Sequence, residues 1–271
     1  MDKPRVSLVI VNFNAGQALV ECLGSVVQRD DVENEIILVD NGSTDGSREL
    51  ARARFPELRL VELGENRGYA AANNRGLALA TGEWVGLLNP DTVVPGGALR
   101  ALVEVLQENP DLGAVGPALV WPDGEPQPYS HGGDPSPFYL ARRAIGRHFG
   151  RALHAWAGGL LRRVDWVSGA ALVARRTVLL RVGGLDEQFF LYFEDVDLCR
   201  RLRESGWQVA FVPSVAIAHH SRPDSADGGR RRHYDHSLLY FYRKHYGVWA
   251  ELGIRAMIRL RWALYDRGLA P

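Results

Sequence analysis

The chain has 271 residues, 46% of them hydrophobic and 24% charged, and its 32 basic and 32 acidic side chains cancel. That suits one large α/β domain or two small ones with a real core, and it excludes a disordered chain. The neutral total hides an asymmetry. Residues 1–135 carry 10 Lys+Arg against 20 Asp+Glu, and residues 136–271 carry 22 against 12. The basic half suits an anionic partner such as a membrane surface or a phosphorylated lipid, or is a solvated basic face. Cys22 and Cys199 read as reduced thiols. The apolar run Val6–Val11 is too short for a secretion signal, and no stretch approaches the roughly 18 apolar residues of a membrane span. A cytoplasmic catalytic part is therefore expected.

In chain order, Val6–Val11 predicts a buried parallel strand ended by Asn12-Phe13-Asn14, and Gly16–Val27 a helix. Glu35–Val39 predicts a second strand, closed by a turn from Asp40 to Gly46, with a helix over Ser47–Arg54 and a third strand over Leu58–Glu62. Gly68–Ala80 predicts a helix, Trp84–Leu88 a fourth strand ending at Asn89-Pro90-Asp91, and Gly96–Glu108 a helix stopped by Asn109-Pro110. This alternation argues for a parallel sheet with right-handed crossovers. Trp121–Pro137 reads as a loop, Val167–Ala174 as a strand, Asp195–Gly206 as a helix and Gln208–Val212 as a short strand.

Polar groups gather just after the strands, the edge where open α/β sheets bind ligands. Asp40 stands at a turn of glycine and small hydroxyls, where a carboxylate accepts hydrogen bonds from a base or sugar; a plain turn with a helix cap is the alternative. Asp91, behind a proline at a strand end, is a hard ligand for Mg²⁺ or Mn²⁺, or a common Pro-Asp turn. Glu194 and Asp195 follow the aromatic run Phe189–Phe193, where desolvation and a like-charged neighbour suit a general base, or they form the acidic first turn of a helix. His219 and His220 follow the apolar run Val215–Ala218 and by themselves are weak candidates for metal ligation.

The order of these pieces resembles the family 2 glycosyltransferases, inverting enzymes of the GT-A fold. The matching segments are Val6–Asn14, Ile37–Gly46, Asn66–Asn74, Leu88–Asp91, Val167–Ala170, Gly184–Glu187 and Phe193–Arg201. The similarity is greatest to the rhamnosyltransferase-like branch that builds bacterial cell-surface polysaccharide. The resemblance implies an α/β, GT-A-type nucleotide-binding fold: a mostly parallel central sheet flanked by helices, plus a C-terminal helical extension. The transferase domain is expected over residues 1–245, with a nucleotide-sugar half (1–118) and an acceptor half (119–245). Residues 246–271 are expected to form a basic amphipathic tail.

The same resemblance implies the roles. Asn12, Asp40, Asn66, Arg67, Asn89 and Asp91 would bind the donor, with Asp40 on its pyrimidine base. Asp91 and His219, or His220 in the adjacent register, would hold Mg²⁺ or Mn²⁺. Asn89 departs from the family pattern, which has a first aspartate there, and so leaves one carboxylate fewer for the cation. Asp195 would be the base, with Glu194 beside it. The donor would be a nucleotide-diphosphate sugar, with dTDP-L-rhamnose as the lead. The acceptor would be a saccharide or a lipid-diphosphate-linked saccharide, and no nucleic-acid partner is expected.

Two other classes compete. A nucleotidyltransferase would carry a basic, glycine-rich loop after the first strand, where Asn12-Phe13-Asn14-Ala15-Gly16 stands instead. A non-catalytic binding module would be expected to lack Asp91 or Asp195. Arginines interleave with apolar residues over Phe138–Arg163 and again at Arg255, Arg259 and Arg261. That pattern points to peripheral attachment at the anionic inner face of the cell membrane, or to helices packed on the domain or in a homodimer.

Overall fold

The computed structural model describes residues 5–27, 32–138, 159–220 and 228–266. Four strands run parallel in the order β3 (Arg59–Glu62), β2 (Glu33–Asp40), β1 (Arg5–Asn12), β4 (Trp84–Leu88). β1 is buried from Val6 to Asn12 because it has a strand on each side and helices on each face. Its side chains alternate between the faces. Leu8 and Ile10 join the core beneath α1 (Gly16–Val27) and α4 (Ala98–Glu108). Val9 and Val11 join the opposite core with α3 (Tyr69–Leu77) and α6 (Glu194–Glu204). Two shorter helices, α2 (Ser47–Arg54) and α5 (Arg176–Arg181), complete the layers.

Beyond β4 the sheet is mixed. β10 (Ala171–Arg175) runs antiparallel to β4 and to β6 (Leu112–Val120), and β11 (Gln208–His219) runs parallel to β6. The edge strand β5 (Thr92–Val93) pairs antiparallel with the end of β11. β8 (Arg162–Val164) also pairs with β11, and β7 (His131–Gly132) with β9 (Trp166–Val167). The parallel expectation thus holds as far as β4 and gives way at β10.

β6 covers a stretch for which the sequence carried no expectation, and its Gly113, Gly116 and Pro117 are poor strand formers. It is a buried strand whose Gly116 admits Val167: a Cβ there would lie 2.5 Å from the valine's own. β11 runs to His219 rather than stopping at Val212. Its register shifts between Val212 and Ala216, around Pro213, which has no N–H to give the ladder.

The chain ends in α7 (Gly228–Asp266), broken at Gly247, whose φ of 82° and ψ of −179° are open to glycine. The break folds the second arm back on the first. Trp262 Nε1 reaches Asp235 Oδ2 at 2.9 Å and Arg261 pairs with the same carboxylate, whereas 26 residues of straight helix would span about 39 Å. Leu238, Phe241, Tyr242 and Ile254 fill the seam. The expected tail is therefore the outer arm of a helical hairpin that begins at Gly228. No helix among the described residues is long and apolar enough to cross a membrane. Most of the arginine-rich stretch, including Arg142, Arg143, Arg147 and Arg151, lies outside the described residues. Arg163 sits in β8 and pairs with Asp111.

Candidate active site

The carboxyl ends of β1, β2 and β4 meet at one edge of the sheet, and the candidate residues lie there. Asn12 pairs in register with Asp40. Asp40 is fully buried: its Oδ1 accepts Asn12 Nδ2 at 2.9 Å, its Oδ2 accepts the Ser43 N–H at 3.1 Å, and Arg48 stands 4.0 Å away. Asn12 Nδ2 also contacts Ser43 and Ser47, so both buried polar groups are satisfied before any ligand arrives. Asp45 accepts the N–H groups of Ser47 and Gly16 and so ties α2 to the start of α1. The carboxylate that braces the turn and the candidate binding carboxylate are therefore different residues.

Asn66 and Arg67 reach this edge through Asn41. The Asn41 amide donates to Asn66 Oδ1 at 3.0 Å and accepts the Arg67 N–H at 2.9 Å. The Arg67 side chain is more than half exposed and pairs with Glu65. Asn41 escaped selection from the sequence although it follows Asp40 directly.

The second cluster lies between the β4 end and the β11 end. The pairing of β5 with β11 sets His219 opposite Thr92. His219 Nε2 lies 3.3 Å from Asp91 Oδ1 and 3.2 Å from Asn89 Nδ2. His219 thus faces Asp91 with its ring, while His220 meets Asp91 through the backbone, N–H to carbonyl at 2.9 Å. Gln127, which the sequence reading passed over inside a proline-rich loop, orients the ring. Its amide NH₂ donates to the His219 carbonyl at 2.6 Å, so its oxygen must accept from Nδ1, 2.9 Å away. With Nδ1 held by Gln127, Nε2 is the ring atom that faces Asp91 and Asn89, the arrangement of an oriented metal-ligating histidine. Among the described residues no three His, Cys, Asp or Glu side chains are grouped to hold a metal. One carboxylate and one imidazole instead suit a cation that takes its remaining ligands from substrate phosphates and water.

The third cluster opens α6. Tyr192 and Phe193 have φ of 72° and 68°, consecutive left-handed conformations that cost about 1–3 kcal/mol each for non-glycine residues. The first arm of the hairpin holds them there. Tyr234 packs against both rings, Phe241 packs on Phe193, His233 stacks on Phe190 at 4.6 Å, and Ser237 Oγ donates to the Leu191 carbonyl. The turn delivers three carboxylates into three environments. Glu194 is buried, and its Oε2 meets no hydrogen-bond partner among the described residues. Burial, then the neighbouring Asp195, pushes it well above the usual carboxyl range. Asp195 is half-buried. Burial raises it too, but the N–H groups of Gly169 and Val196, each at 2.8 Å, favour its charged form. Both carboxyls are held above the ordinary range, and the two N–H bonds make Asp195 the better seat for negative charge. Burial also acts against ionised Asp197, yet His245, Arg201 and Lys244 outweigh it and bring the group down to about 2.

Backbone stitches the clusters together. Asp195 Oδ2 accepts the Gly169 N–H, and the carbonyl of the next residue, Ala170, accepts the Asn89 N–H at 2.9 Å. A Cβ on Gly169 would meet Asp195 Cβ at 3.3 Å, so the glycine lets the carboxylate close on the strand. Tyr69 donates its hydroxyl to the Gly169 carbonyl at 2.8 Å, and burial followed by the charges of Glu194, Asp195 and Asp91 strongly disfavours its ionisation.

Comparison with known proteins agrees with this architecture. Residues 7–167 match the Glycosyl transferase family 2 description. The chain is 32% identical to an N-acetylglucosaminyl-diphospho-decaprenol L-rhamnosyltransferase of Mycobacterium tuberculosis, over 95% of this chain and 88% of that one. It is 26% identical to a low-salt glycan biosynthesis hexosyltransferase of Haloferax volcanii, over 81% of this chain and 68% of that one. Among solved structures, the mannosyltransferase PcManGT from Pyrobaculum calidifontis, in complex with GDP-Man and Mn²⁺, superposes with a TM-score of 0.63 at 25% identity. The match covers 89% of this chain and 64% of that one. GalNAc-T7 with UDP, GalNAc and Mn²⁺ shares the fold at a TM-score of 0.64 and 16% identity, over 88% of this chain and 47% of that one. With a sheet edge that gathers Asn12, Asp40, Asn89 and Asp91 and a carboxylate presented by α6 beside it, the chain belongs to glycosyl transferase family 2 and is a glycosyltransferase of the GT-A fold.

Proposed function

We propose that the protein transfers L-rhamnose, with inversion, from dTDP-L-rhamnose to a lipid-diphosphate-linked saccharide at the inner face of the cell membrane. The observation that carries this reading is the two-residue link from Asp195 through Gly169 and Ala170 to Asn89. It sets a charged carboxylate beside the loop that would hold the donor's diphosphate. The sugar and the lipid acceptor are supported by the rhamnosyltransferase relative, whose name carries both.

Asp40 and Asn12 form a rigid polar floor for the donor's base, and Phe13, 47% exposed at the end of β1, offers an apolar face beside it. Asp91 and His219 would hold Mg²⁺ or Mn²⁺, with Gln127 orienting the histidine. When bound there, the cation supplies positive charge to the departing diphosphate. Asp195 takes the proton of the acceptor hydroxyl as that oxygen forms its bond to the anomeric carbon. The bond from that carbon to the diphosphate oxygen breaks on the opposite face, so the nucleoside diphosphate leaves and the configuration inverts.

The test is a panel of nucleotide sugars with the purified chain. The true donor stabilises the native state by mass action, and dTDP-L-rhamnose should give the largest shift in Tm. Rhamnose should then pass to a short-chain N-acetylglucosaminyl-diphospholipid. A larger shift with GDP- or UDP-sugars, and no rhamnose transfer, would refute the donor assignment.

A further inference from the structure

The outer arm of the hairpin, residues 248–263, is apolar on its outward side as well as its inward one. Inward, Ile254 is buried against the first arm and Glu251 is buried with Arg243 and Arg255 as partners. Outward, Trp249 is 82% exposed and Leu260 61%, with Val248, Leu252 and Met257 exposed between and beside them. Gly253, Ala256 and Ala263 complete that face, and Arg259 is its one exposed charge among the described residues. At about 100° per residue, these positions cover roughly half of the helix circumference. The arm's single acidic residue, Glu251, points inward.

We propose that this face is a docking surface for an anionic lipid bilayer, lying in the interface with Trp249 and Leu260 among the headgroups and upper acyl chains. The charge pattern selects this occupant. A strip with a cation in it, a second arginine beside it and no outward carboxylate complements an anionic surface. A second copy packed across a two-fold axis would bring the same uncompensated Arg259 from both sides. Arg255 and Arg261, which the sequence marked together with Arg259, have carboxylate partners in Glu251 and Asp235, so Arg259 and the apolar side chains carry the docking.

The location gives the surface its purpose, which rests on the proposed lipid-linked acceptor. The first arm clasps residues 190–193, which present Glu194 and Asp195. A docked outer arm is therefore joined, through the first arm, to the segment that presents the base.

The experiment is flotation of the full chain with vesicles of equal parts phosphatidylcholine and phosphatidylglycerol, beside vesicles of phosphatidylcholine alone. The wild type should float with the anionic vesicles at low salt and much less with the neutral ones or at high salt. Trp249→Ser combined with Leu260→Ser should lower the vesicle partition coefficient about tenfold or more. Arg259→Gln should lower it about fivefold and flatten the salt dependence. Melting temperature and donor binding check that the variants fold, and the single Arg259→Gln change, at an exposed position, decides the matter if the double variant does not. Docking is refuted if the wild type fails to float at low salt, or if the variants float equally well. It is also refuted if the lipid-free wild type is a dimer that the double variant converts to monomer. Transfer to a water-soluble short-chain acceptor should be unchanged in the variants. For the wild type, no flotation with intact transfer sinks docking alone, and intact flotation without transfer sinks the proposed function alone.

Discussion

Asp197 offers a quantitative check on how the acidic run is divided. Its carboxylate is fully buried and takes 2.6–2.7 Å contacts from Lys244, Arg201 and His245. Lowering its pKa from 3.8 to about 2 corresponds to about 2 kcal/mol of stability at neutral pH, at about 1.4 kcal/mol for each tenfold in proton affinity. Its folded value is depressed, so the unfolded chain binds the proton more readily. The contribution is complete above about pH 4 and is lost as the pH falls through the folded value near 2. Asp197→Asn keeps the shape but removes the charge. Lys244 retains Asp186 at 2.7 Å, and Lys244 and Arg201 reach solvent, so the loss should stay near about 2 kcal/mol rather than the larger figure for a fully buried pair. Urea unfolding at pH 7 should show that gap between wild type and variant, and it should shrink as the pH is taken below about 4. Equal stability at pH 7, or a gap that does not change on acidification, would refute the assignment of Asp197 as an ionised anchor.

Asp195→Asn should leave donor affinity near wild type and lower kcat by on the order of 10²-fold or more, and near-normal turnover would move the base elsewhere. Burial raises both carboxyls of the Glu194–Asp195 pair, so the folded chain binds their proton more readily than the unfolded one, and that contribution to stability is lost as the pH rises through the folded values. Asp91→Ala should abolish Mn²⁺-dependent tightening of donor binding in calorimetry. Gln127→Leu should weaken Mn²⁺ binding about tenfold or more by freeing the His219 ring, and unchanged Mn²⁺ affinity in both variants would rule out a cation at this position. Asp40→Ala should raise the donor KM more than it lowers kcat, since the base lies away from the reacting carbon; a collapsed kcat at constant KM would contradict that placement.

The sequence by itself determined the family, the first four strands and their parallel sense, and the candidate residues at the strand ends. Those depend on local pattern: apolar runs of strand length, turn residues behind them, and carboxylates at fixed distances from both. Asp40, Asp91 and Asp195 could be picked out because each lies next to the element that positions it. Tertiary structure alone shows how the environments of Glu194 and Asp195 differ, because Gly169, a residue distant in the chain, donates to Asp195. It shows which histidine ring faces Asp91, because the antiparallel pairing of β5 with β11 turns that of His219 toward it. It also revealed Gln127, Asn41 and the Lys244–Asp197 anchor, whose partners come from separate segments and leave no local periodicity. The antiparallel sense of β10, though not its strand, and the whole of the glycine-bearing β6 were illegible for the same reason, since neighbours rather than composition set them. The tail's arginines could be counted from the sequence, but the reversal at Gly247 decided which of them meet carboxylates and left Trp249 and Leu260 facing outward.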